Sequence, residues 1–156
     1  YANLTTFAHY YEEKWFPYTM PISDIVGLRT AVDNVLADTE ILARHARIAA
    51  ATREAVTQAG LHLYLQSGYS NTVTVIEVPE GLTDKAILST MKDKYNVMIS
   101  GCFDVLAGKV IRIGHMGENA NAADLCMTLA AMDKTFAELG YPLQCSMKEV
   151  FLACLA

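Results

Sequence analysis

Apolar residues recur at helical spacing over one long stretch of the chain and then cluster or alternate over shorter ones. The long stripe runs Ile25, Leu28, Val32, Val35, Leu36 and resumes as Ile41, Leu42, His45, Ile48, Ala49, Thr52, Val56. Steps of three and four place these positions on one helical face. The pattern predicts one long helix, or two jointed near Asp38-Thr39. Ser23 offers its N-cap, Asp24 complements its positive end, and Gly60 ends it. Leu61 to Leu65 alternates and predicts a strand. Thr72 to Val78 is continuous and β-branched, which predicts a buried strand stopped at Pro79-Glu80-Gly81. Thr83 then caps a helix whose inner face is Ile87, Leu88, Met91 and Tyr95. Val97-Met98-Ile99 and Lys109 to Ile113 read as two more short strands, with Ser100 to Gly108 as a loop. Asn121 caps a helix with Leu125, Leu129, Met132, Phe136 and Leu139 along one side, Gly140 at its end and Pro142 beyond. Ser146 to Ala156 reads as a closing amphipathic helix.

Upstream of the stripe, Tyr1 to Trp15 reads as a short helix or irregular arm. Its Phe7, Tyr10, Tyr11 and Trp15 are spaced for packing. Phe16-Pro17-Tyr18-Thr19-Met20-Pro21 is a breaker, because each proline fixes its own φ and restricts the residue before it. The order is therefore helix, helix, then β-β-α-β-β-α-α. That implies an α/β chain of the α+β kind: a long helical stretch, then a small, mostly antiparallel sheet with helices on one face. A helix as long as the first needs a neighbour along most of its length.

Composition narrows the functional classes. Hydrophobic residues make up 53% of the chain and charged ones 19%, the profile of a globular protein. A net charge of −5 without a basic cluster argues against a nucleic-acid partner. No apolar run reaches the roughly 20 residues that span a bilayer, so no membrane partner is expected. No basic-then-apolar leader is visible, and the absence of an initial Met suggests a piece of a longer product. Cys102, Cys126, Cys145 and Cys154 lack zinc-ligand spacing, so no metal is expected. Cys126 and Cys154 fall on apolar helix faces and read as small core residues; free thiols fit a reducing cytoplasm.

Candidate chemistry concentrates in Gly108-Lys109-Val110-Ile111-Arg112-Ile113-Gly114-His115-Met116-Gly117. An arginine within an apolar strand is costly unless its guanidinium meets water or an anion. Two readings fit Arg112: an edge-strand residue that snorkels to solvent, or a planar fork for a carboxylate. His45 reads as a satisfied core or interface histidine, His62 as outward-facing, and His115 as an exposed loop residue without a role. Tyr95 and Trp15 read as packing residues.

The segment from Gly108 to Gly117 resembles the C-terminal signature of the class V aminotransferases, fold-type-I pyridoxal phosphate enzymes, in the alanine–glyoxylate and serine–pyruvate branch. The likeness runs from about Trp15 to Tyr141, and the Arg112 segment is its specific part. It implies that Arg112 binds the α-carboxylate of a small amino acid, with a 2-oxo acid such as glyoxylate or pyruvate as acceptor. It implies that Thr19 reaches the phosphate of the pyridoxal 5'-phosphate held by the other subunit of a homodimer. Family members often carry a tyrosine where Phe16 stands; the phenylalanine keeps the ring and loses the hydroxyl. Residues 1–58 would be the end of the large domain and the interdomain helix, and residues 59–156 the small C-terminal α/β domain. The family's Schiff-base lysine follows a Ser-x-Lys context, which none of Lys14, Lys85, Lys92, Lys94, Lys109, Lys134 and Lys148 has. No catalytic residue is therefore assigned, and the chain alone is expected to be inactive.

Two rivals remain at the level of sequence. Cysteine desulfurases of the same superfamily carry a nucleophilic cysteine in a loop before a comparable arginine, and Cys102 sits in such a loop. Alternatively, Thr72 to Gly140 is similar in order to small amino-acid-binding regulatory domains. The helical stretch from Ser23 to Gly60 speaks against a free-standing module of that kind.

Overall fold

The structure, a computed structural model, describes residues 3–16 and 18–156. Pro17 of the breaker and the first two residues of the expected arm lie outside the described residues. Contacts divide the chain into two compact units, one ending at Thr39 and the other Glu40–Ala156.

In the first unit a 3-10 turn, Leu4–Phe7, is capped by Asn3, whose side chain accepts from the Thr5 N–H at 3.0 Å. Helix α1, Tyr10–Glu13, is one turn long, and Lys14 ends it in the left-handed region. The aromatic residues expected to pack are largely open to solvent: Tyr10, Tyr11 and Trp15 are each more than half exposed. An arm this short covers little of its own apolar surface. Helix α2, Ile22–Ala37, begins at Pro21, so Ser23 lies inside the first turn and does not cap it. Proline lacks an N–H, and its φ of −80° is nearly helical, so it can open a helix without a side-chain cap. No residue of α2 is buried, although Ile25, Leu28, Val32 and Val35 form the expected stripe.

Of the two helical alternatives, the jointed one is observed. Helix α3, Ile41–Gln58, is separate and is the spine of the second unit. It buries His45, Ile48, Ala49, Ala51, Thr52, Ala55 and Val56. Four of those positions are alanine or threonine, small enough for the close approach of the helix it packs against most extensively, α6, Met147–Leu155. Its end is a Schellman turn: Leu61 N–H donates to Val56 O, and Gly60 N–H to Thr57 O. Gly60 has φ of +85°, the left-handed conformation that favours glycine.

The sheet has two antiparallel strands, β1, Val73–Glu77, and β2, Val110–Gly114, in a register that sets Val75 opposite Arg112. This is the expected small α/β domain with a smaller sheet than the four strands read from sequence. Leu61 to Leu65 forms no ladder. It touches β1 at one bridge, Leu63 to Ile76, with Tyr64 N–H donating to Val75 O. Val97 to Ile99 is likewise not a strand, and pairing occurs one residue later, at Ser100. β1 is not buried on both faces. Thr74 and Ile76 are buried while Val73 and Val75 are only partly covered and Glu77 is exposed, which is what one covered face produces.

Helix α4, Asp84–Tyr95, is capped by Thr83, and α5, Ala122–Glu138, by Asn121, as the sequence indicates. Ile87 and Met91 of α4 and Leu125, Leu129, Met132 and Phe136 of α5 meet Ile76, Ile111, Ile113 and Phe151 in one core. The start of α6 sits against Asp133 of α5. That carboxylate accepts from Ser146 Oγ at 2.7 Å and from the N–H groups of Met147 and Lys148 at 2.9 and 3.3 Å. Cys126 is half-buried beside the core. Cys154 is exposed and is not a core residue, because full burial on α6 narrows to Met147 and Phe151.

Candidate functional site

Arg112 stands at the middle of β2 with a chain segment on each side. Its N–H donates to Ser100 O at 2.6 Å, and its carbonyl accepts from Ser100 N–H at 3.1 Å. Both groups point away from β1, so Arg112 and Val75 meet as a non-hydrogen-bonded pair. β2 is thus paired on both sides at this residue. The side chain is half-buried, and its Nε–H donates to Gly101 O at 2.8 Å. Among the described residues Arg112 makes no ion pair, and its terminal nitrogens have no protein partner. A guanidinium held this way keeps a two-pronged donor edge for an acid group.

Thr19 is exposed and belongs to the first unit, in the stretch between Phe16 and the start of α2. Phe16 packs its ring against Phe7 at 5.3 Å and edge-on to Tyr10 at 6.4 Å. Among the described residues one cleft is lined by Tyr64, Glu77, Pro79, Glu80 and Lys109 among others, and another by Tyr10, Tyr11, Lys14, Trp15 and Phe16; neither includes Arg112 or Thr19.

Both inner histidines are fully engaged. His45 Nδ1 lies 2.6 Å from Ile41 O, which only accepts, so Nδ1 carries the proton. Its Nε2 then accepts from Gly117 N–H at 3.0 Å and ties α3 to the turn that follows β2. His115 corrects the sequence reading: it is buried, not an exposed loop residue. Its Nδ1–H donates to Asn71 O at 3.2 Å, and its Nε2 accepts the Thr74 hydroxyl at 2.9 Å. Burial above all pushes the His115 imidazole below its ordinary pKa, helped by the charge of Arg53 and opposed by its backbone hydrogen bonds. No local pattern announced this. The partners are 41 and 44 positions away, and only the fold brings them together.

Glu138 is a second residue that the sequence reading passed over. It accepts from Lys94 Nζ and from the Tyr95 hydroxyl, tying α5 to α4. Those two donors hold its carboxyl below the usual range, and the same contact pushes the Tyr95 phenol up. The other lysines also sit at the surface. Lys14 lies over the Tyr11 ring, Lys134 near the Tyr95 ring, and half-buried Lys148 3.3 Å from Glu149. Cys102 is half-buried. Among the described residues no cluster of His, Cys, Asp or Glu is placed to hold a metal ion, and no helix is long and apolar enough to cross a membrane.

No family model matches the chain. It is 36% identical over 154 residues to an uncharacterized aminotransferase of Methanocaldococcus jannaschii, covering 96% of this chain and 40% of that protein. It is 38% identical over 132 residues to the serine–glyoxylate aminotransferase of Arabidopsis thaliana, covering 82% of this chain and 33% of that enzyme. Among solved structures, the pyridoxamine–pyruvate aminotransferase of Mesorhizobium loti superposes with a TM-score of 0.84 at 33% identity, over 90% of this chain and 37% of that one. The chain thus spans 33–40% of the length of these proteins. The fold is that of the small C-terminal α/β domain of fold-type-I pyridoxal phosphate transferases. Within them, the chain belongs to the class V aminotransferases, in the alanine–glyoxylate and serine–pyruvate branch, as a part of C-terminal size.

Proposed function

We propose that the intact protein is a pyridoxal phosphate-dependent aminotransferase that moves an amino group from a small amino acid of the alanine or serine type to glyoxylate or pyruvate. The observation that carries this reading is Arg112: a half-buried guanidinium with no carboxylate partner among the described residues, in a domain of aminotransferase fold. Family membership and the helices α2 and α3 stand against the free-standing regulatory domain. The same membership favours amino transfer over sulfur release at Cys102.

In this reading Arg112 holds the substrate α-carboxylate through its terminal nitrogens and so fixes which bonds of the α-carbon face the cofactor. Thr19, whose hydroxyl is exposed, donates to the cofactor phosphate across the interface of a homodimer. Pyridoxal phosphate, when bound, would supply the sink for the electron pair left on the α-carbon as its proton departs. The residues present fit the margins of that cofactor and not its seat. A lysine that bonds it and shuttles the proton needs a desolvated pocket, and every lysine here lies at the surface or, as with Lys148, is half-exposed. The chain by itself is therefore inactive in this proposal, and the catalytic lysine is supplied by the rest of the enzyme. The boundary between large and small domains of the intact enzyme falls near residue 58. Four unpaired thiols support a cytoplasmic location.

The test is amino transfer by the intact protein with alanine or serine and either 2-oxo acid, beside Arg112→Ala. Loss of the charge-assisted pair, about 1.5–3 kcal/mol, raises the amino-acid KM roughly 10- to 150-fold and leaves cofactor absorbance unchanged. An unaltered KM removes Arg112 from the site.

A further inference from the structure

Arg112 is anchored before any ligand arrives, and the anchor is a backbone group. The segment Ser100-Gly101 holds it three times: two main-chain hydrogen bonds through Ser100 and one from Nε–H to Gly101 O. The segment in turn lies hard against α4. A Cβ on Gly101 would come 3.3 Å from Leu88 Cδ1 and 3.4 Å from Asp84 Oδ2. The φ of Gly101 lies outside the left-handed region, so the constraint at this position is one of space: a Cβ would meet Leu88 Cδ1 more tightly than an ordinary contact, and Leu88 or the segment would have to shift by a few tenths of an ångström. Leu88 is partly buried and packs against the core that holds Ile87 and Met91, so its shift would disturb that packing.

We propose that Gly101 is a positioning residue for Arg112. Lacking a side chain, it lets its carbonyl reach Nε–H, and this aims the guanidinium so that an incoming carboxylate meets only the Nη1–Nη2 edge. The inference rests on the carboxylate reading of Arg112 and adds what fixes the geometry of that contact. With Nε occupied, a side-on pair through Nε and Nη2 is closed off and the end-on pair is the one that remains. The arrangement is set before binding, so no ordering of a long side chain has to be offset when substrate arrives. It also shifts attention within the loop: the residue that matters beside Ser100 is Gly101, not the cysteine that follows it.

Three measurements on the intact protein test this. Gly101→Ala pushes the segment off α4 and is expected to raise the amino-acid KM about fivefold to tenfold, with kcat and cofactor affinity changed less than about twofold. Adding Leu88→Val, which takes away Cδ1, is expected to recover most of that loss, a rescue that general destabilisation would not give. In protein labelled with 15N-arginine, the Arg112 Nε–H is expected to exchange with solvent far more slowly than that of exposed Arg29. This last measurement needs no variant. If Arg112→Ala raises KM and Gly101→Ala does not, the anchor has no role and the carboxylate reading stands. If neither raises KM, the carboxylate reading falls and the positioning role falls with it. Fast exchange at Arg112 Nε–H overturns the anchor by itself.

Discussion

Burial disfavours a charged imidazole, and His115 shows how a single residue makes stability depend on pH. Its folded pKa lies below the value near 6.5 that it takes in an unfolded chain. Above that unfolded value both states bind no proton and the Thr74 and Asn71 hydrogen bonds contribute fully. As pH falls below it, the unfolded chain takes up the proton first, and stability drains away until the depressed folded pKa is passed. The unfolding midpoint in denaturant is therefore expected to drop as pH falls below the unfolded value near 6.5, and His115→Gln, which does not titrate, flattens that slope. Parallel loss in both proteins would assign the pH dependence to other groups. The same contacts explain why a histidine can follow Gly114 at all: its ring fills a gap closed by β1, not a loop surface.

At the level of elements, helix ends carry much of the specification. Thr83, Asn121 and Ser146 each accept from an N–H in the first turn of the helix they open. α6 has a further support in Asp133, which reaches it from the next helix and lies at its positive end. Asp133→Ala removes three hydrogen bonds at that end and is expected to destabilise the fold by about 1–3 kcal/mol in equilibrium unfolding. A change under about 0.5 kcal/mol would mean that Ser146 and water suffice. α6 packs on both α3 and α5, so loosening its start also loosens the spine on which the sheet rests.

Considered as a whole, the chain contains a well-packed domain and a helix with no buried residue. Ile22, Ile25, Leu28, Val32, Val35 and Leu36 of α2 are all 45–76% exposed, although their spacing is that of a buried face. The lysines are surface groups, so the chain offers no desolvated amine to a carbonyl cofactor. Mixing it with stoichiometric pyridoxal phosphate and reducing with borohydride is expected to leave its mass unchanged. A stable adduct at one lysine would overturn the view that the reactive amine lies elsewhere in the enzyme.

The amino-acid order by itself determined most of the helical pattern, because caps and 3.6-residue periodicity are local: the Thr83 and Asn121 caps and the Ile87-Met91 and Leu129-Phe136 faces are where they were expected, while the Ser23 cap was displaced by Pro21. It also singled out Arg112, since a cation within an apolar run is visible without a fold. Strands were less legible. A short run such as Leu61 to Leu65 has the look of a strand, but whether it joins a ladder depends on a partner many residues away. Only the tertiary structure decided that Ser100 borders β2, that Gly101 holds the Arg112 guanidinium, and that His115 is buried. Those outcomes depend on hydrogen bonds between segments far apart in the chain, and no window of sequence contains both ends of such a bond.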